Sequence, residues 1–120
     1  MKARIMILVT VLMMGLSSLA LAHCTGGSIQ GIRSTSDGWK VMIYTSEGYS
    51  VASIHTYCPD YPLRQGNIIE ANCGYLTDIG QVSIHDLATG YSGTILSIEG
   101  FHLSGADART WLNNGGQFLD

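Results

Sequence analysis

A chain of 120 residues with nine acidic and six basic side chains has a formal net charge of −3 and carries no cationic footprint for nucleic acid or another polyanion. Its length suits one small domain, whose core alone is marginal and for which a covalent staple is useful.

At the amino terminus Lys2 and Arg4 precede an apolar run over 5–14, broken by Gly15, and Ala20-Leu21-Ala22 offers small residues for cleavage. This is the three-part form of a secretory signal. An uninterrupted apolar core of about ten residues falls short of the ~20 needed to span a bilayer. Residues 1–22 are therefore expected to be a cleaved signal peptide, leaving a periplasmic or secreted domain over 23–120 with no transmembrane segment. Cys24 stands where a bacterial lipoprotein signal carries its acylated cysteine, but His23 before it is not small, so cleavage before His23 is the expectation. The remaining Arg33, Lys40, Arg64 and Arg109 face nine acids, a net charge of −5.

Gly31 lies between Ile29 and Ile32, which break strict alternation, and predicts a bulged first strand that returns both isoleucines to the core. Residues 34–38 are dense in turn formers. From 39 to 45 Val41, Ile43 and Thr45 share one face, with Met42 and Tyr44 on the other, which makes a hairpin. Ser46-Glu47-Gly48 turns into a third strand over 49–57. Pro59 and Pro62 force a crossover loop.

Residues 61–76 are expected to organise the fold. Gly66 makes a tight turn, and Ile69, Ala71 and Cys73 follow on one face, with Ile68 making the strand's start apolar on both faces. A strand over 81–85 directs Val82 and Ile84 inward, and a long last strand spans 94–103. Only the tail reads as helix, capped by Ser104, carrying Asp107 in its first turn and stopped by Gly115-Gly116; Trp111 and Leu112 must pack on the sheet.

In an oxidising compartment thiols pair. Cys58–Cys73 closes a loop of about 15 residues, worth roughly 3 kcal/mol in the chain-entropy account. Cys24–Cys73 is the rival pairing, and spacing leaves both open.

Five or six short strands separated by turns argue an all-β, small antiparallel barrel of 5–6 strands with a short C-terminal helix. The bent first strand, hairpin, crossover and the run Leu63-Arg64-Gln65-Gly66 leading to Cys73-Gly74 resemble the OB-fold pattern over 28–103. Size, compartment and cysteine content also resemble the B subunits of bacterial AB5 toxins, which are pentameric and bind glycans. The resemblance implies an OB-like barrel that binds an extended ligand, and it makes a homo-oligomer a possible state.

Glycine–aromatic pairs recur at turns, and Trp39, Tyr49, Tyr75 and Tyr91 are the expected ligand-binding rings, with Trp39 and Tyr49 adjacent through the second and third strands. The function expected is a non-catalytic secreted or periplasmic binding module for a protein or glycan partner, with nucleic acid excluded by charge and no cofactor. A cleaved His23, with its free amino group, resembles the copper brace of copper monooxygenases and periplasmic copper proteins, with His55, His85 or His102 as the third nitrogen. No spaced metal-ligand motif accompanies it, and the absence of a bound metal is the expectation beside that alternative. Glu70 and Glu99 form a carboxylate pair only if their strands adjoin.

Overall fold

The alternation from Val41 to Thr45 becomes the second strand of a closed six-stranded barrel in the computed structural model, which describes residues 24–118. The elements are β1 (Gly26–Thr35), β2 (Gly38–Thr45), β3 (Gly48–Thr56), β4 (Ile68–Ala71), β5 (Gly80–Asp86), β6 (Thr94–Leu103) and a helix, α1 (Gly105–Asn113). Around the barrel the order is β1-β2-β3-β6-β5-β4, every neighbouring pair is antiparallel, and β4 pairs back to β1. The expected fold class, an all-β antiparallel barrel with a short C-terminal helix, is the one the chain adopts.

Period-two alternation sends one set of side chains inward, where Ile29, Val41, Ile43, Ile69, Ile84 and Leu96 are fully buried in one apolar core. The stretch over 61–76 contributes Leu63, Ile69 and Leu76 to that core, and its strand closes the barrel by pairing with both β1 and β5. Ladder register slips between Ile29 and Gly31, so the bulge expected in β1 is present, with Ile29 buried and Ile32 packed against the core.

A second apolar cluster lies outside the barrel wall, where Met42 and Val51 meet Ala108, Trp111 and Leu112 of α1. Close approach is possible because β1 has no side chain at Gly31: a Cβ there would stand 2.8 Å from Leu112 Cδ2 and 3.0 Å from Met42 Cγ. The helix is held at both ends. Ser104 Oγ accepts from Asp107 N at 3.1 Å, while Gly115 N and Gly116 N return to the carbonyls of Leu112 and Trp111 at 3.1 and 2.9 Å. Arg33, reaching from β1, donates to Leu112 O at 3.2 Å and to Asn113 O, which puts a cation at the negative end of the helix dipole.

β4 departs from expectation. It has four residues, Ile68 is 48% exposed instead of buried, and Cys73 lies beyond the strand in an exposed bend. The pairing explains this. Registered contact with β1 runs from Ser28↔Ile68 to Gly26↔Glu70, after which the chain bends at 72–74 and Gly74 takes φ 89°. With Ile69 inward, its neighbour Ile68 must face out.

Candidate functional site

The four expected rings make different contacts. Trp39, at the start of β2, stacks on Tyr57 with centroids 5.2 Å apart and planes 23° apart. Tyr49 pairs with Tyr44 across the ladder, edge to face at 5.2 Å, and packs at the start of α1 beside Gly105. Trp39 is five residues from Tyr44 along β2, about 17 Å at strand rise, so it and Tyr49 sit at opposite ends of the β2–β3 ladder. Their expected adjacency is corrected by that register. Tyr75 is exposed in the segment after β4, and Tyr91 lies flat on Tyr61 at 4.6 Å with 8° between planes. A hydrogen bond with Cys58 is the main cause that raises the Tyr91 hydroxyl pKa above the ordinary tyrosine value.

All three cysteines are free thiols: Cys24 is buried with Sγ 3.1 Å from Ser46 Oγ, Cys58 is half-buried and Cys73 exposed. Neither the Cys58–Cys73 bridge nor the Cys24–Cys73 alternative is formed in the structure. Cys58 and Cys73 follow β3 and β4 at the same end of the barrel, with β6 and β5 between them: Thr56 pairs with Ile95, Ile95 with Ser83, and Ser83 O accepts from Asn72 N at 2.8 Å.

His23 lies outside the described residues. Among the described residues no three of His, Cys, Asp and Glu gather to hold a metal ion. His85 Nδ1 is 2.6 Å from Ser92 Oγ, a surface contact on β5. Glu70 and Glu99 are not neighbours, because β5 separates their strands; Glu99 instead accepts from Ser53, which accepts from Lys40 Nζ at 2.8 Å.

What barrel closure does bring together is a row on the outer face. Ser28 of β1 pairs with Tyr44 on one side and Ile68 on the other, and Tyr44 continues through Tyr49 to Leu103. Tyr44 is 49% exposed, like Ile68, and Leu87, also half exposed, follows on, its N–H bonded to Ile68 O at 2.9 Å. A shallow groove of about 440 Å³ runs here, with Ser28 and the glycine pair Gly26-Gly27 between Tyr44 and Ile68, and Ser46 and Glu70 among its polar lining. Alternation in the sequence places Tyr44 opposite Val41 and Ile43. The pairing of β1 with β4, which sets Ile68 beside it, has no local signal.

A second groove, of about 370 Å³, lies between α1 and the tail and is lined by Leu103, Asp107, Thr110, Trp111, Gln117 and Phe118. Phe118 rests over Gly100, where a Cβ would come within 2.7 Å of its ring, and stands 6.3 Å from the Trp111 ring. Trp111 is 1% exposed, and its Nε1 has no hydrogen-bond partner among the described residues. An unmade buried donor of this kind costs about 1–3 kcal/mol. The sequence places Trp111 on the sheet but does not show that its indole N–H lacks an acceptor. No family model, curated protein or solved structure matches the chain.

Proposed function

We propose that this protein is a non-catalytic binding module of the periplasm or extracellular space, and that it holds a protein partner on the outer face of β2, β1 and β4. The observation that carries the reading is the register row Tyr49–Tyr44–Ser28–Ile68, in which two large, half-exposed side chains flank a small one across three bonded strands. Surface aromatic and aliphatic groups grouped in this way, with Ser46 and Glu70 among the groove's polar groups, match the composition of an interface: an apolar centre within a polar rim. The partner loses little to screening, because among the described residues Glu70 is the one charged residue that lines the groove. Rings remain central to the reading, as in the sequence, but the ring that leads is Tyr44 instead of Trp39, Tyr75 or Tyr91.

Site-specific photo-crosslinking in the secreting cell tests it. A photoreactive residue at Tyr44 or at Ile68 is expected to yield one shared protein adduct, and the same residue at Asp37, on the β1–β2 turn, is expected to yield none. Tyr44→Asp should suppress the adduct formed from position 68. Adducts absent from both positions, or no weaker at 37, refute the assignment. Binding to a glycan array that is lost in Tyr44→Ala would transfer the same face to an oligosaccharide.

A further inference from the structure

Inside the groove between α1 and the tail, the chemistry of the lining is more particular than on the barrel face. Its volume of about 370 Å³ is at the low end of the range for small-molecule sites. Of the lining residues, Trp111 has a buried Nε1 that finds no partner among the described residues and can only donate, the Asp107 carboxylate can only accept, and the Thr110 hydroxyl and Gln117 amide can do both. Leu103 and Phe118 supply apolar wall, and among the described residues no lysine or arginine lines the groove. An anion would meet Asp107 unfavourably, and a simple cation would leave the indole donor unmade. A ligand that satisfies the set is neutral, offers hydroxyl hydrogens and hydroxyl oxygens together, and has a C–H face for the ring of Phe118.

We infer that this groove is a binding site for a single neutral pyranoside, with Trp111 Nε1 donating to a ring or hydroxyl oxygen and Asp107 accepting from hydroxyls. Thr110 and Gln117 complete the polar contacts. Because Nε1 is shielded from solvent as the side chains stand, the inferred pose requires a shift of the groove wall, to which the half-exposed Phe118 belongs. The site is separate from the Tyr44–Ile68 face, so either assignment can fail without the other.

The chain has two tryptophans, so Trp39→Phe leaves Trp111 as the sole indole reporter. Titrating that variant with a panel of methyl glycosides of glucose, galactose, mannose and N-acetylglucosamine is expected to give a saturable change in emission with at least one of them. Calorimetry on the otherwise unaltered protein should give the same affinity. Asp107→Asn is expected to weaken binding at least about tenfold, the equivalent of one hydrogen bond to a charged group. Trp111→Phe, which keeps a ring and removes the donor, should weaken it similarly. Thr110→Val and Gln117→Ala, both on exposed positions, serve as further probes if the core substitution does not fold. Tyr44→Ala should leave glycoside affinity unchanged. No saturable change with any glycoside, or binding in folded Asp107→Asn and Thr110→Val equal to the parent, overturns the inference.

Discussion

Gly31→Ala probes the contact that fastens the helix to the barrel. The added Cβ would stand 2.8 Å from Leu112 Cδ2, 3.0 Å from Arg109 Nη1 and 3.0 Å from Met42 Cγ. Carbon atoms rest at about 3.5–4.0 Å, so α1 must retreat by several tenths of an ångström, or Leu112 must leave its rotamer. Retreat loosens Ala108, Trp111 and Leu112 together, because one rigid helix carries all three into the cluster with Met42 and Val51. Overpacking of this kind costs about 1–3 kcal/mol. At roughly 4–8 °C per kcal/mol for a domain of this size, the melting temperature should fall by at least about 4 °C. Leu112→Ala alone should cost about 2–5 kcal/mol through the cavity it leaves. The double variant is the sharper measurement, since removing Leu112 makes room for the new methyl, and its loss should fall short of the summed single losses by about 1 kcal/mol or more. Urea denaturation of the four proteins measures the cycle. Strict additivity, or a Gly31→Ala protein as stable as the parent, would refute the claim that this glycine exists to seat the helix.

Thiol chemistry should follow burial: a soluble disulfide reagent is expected to modify Cys73 in the folded protein and Cys24 only after unfolding. Lack of reaction at Cys73, with a peptide map joining it to Cys58, would instead establish the bridge expected from the loop spacing. In a spectrophotometric titration the Tyr91 phenol should ionise above the ordinary tyrosine value, and Cys58→Ala should bring it back toward that value. The sign follows from the raised folded-state value. Any stabilisation from that contact is complete below the ordinary tyrosine pKa and is lost as the pH rises through the raised one. Equal titration of Tyr91 in the two proteins would remove Cys58 as the cause.

Local chemistry made most of the elements legible. Alternation and glycine turns mark β2, β3, β5 and β6 within a residue or two, and Ser104 with Gly115-Gly116 brackets α1 because capping is a property of neighbours in sequence. The closure of the barrel is different in kind. Whether Ile68 is buried depends on which strand lies beside β4, a contact between residues some forty positions apart, and alternation alone leaves two adjacent isoleucines competing for the interior. The same limit governs the site. Glycine–aromatic spacing identifies Tyr49 and Trp39 as ring-bearing turns, but only the ladder register shows that one stands beside Tyr44 while the other stacks on Tyr57 at the far end. That the Trp111 indole finds no acceptor among the described residues depends on the packing of a tail against a helix, which no periodicity encodes.

The return of β4 to β1 also limits how any partner can attach. An open sheet offers a row of unused backbone N–H and C=O groups, and an extended peptide can join it as one more strand. In this closed barrel β1 is paired with β4 over Gly26–Ser28, at the Tyr44–Ile68 face, so that mode of attachment is foreclosed there unless a ladder first opens. Recognition must then be read from side chains, which makes it specific to residues such as Tyr44 and Ile68 and sensitive to single substitutions. It also blunts edge-to-edge aggregation, a useful property for a β-protein whose outer wall carries exposed tyrosine, isoleucine and leucine.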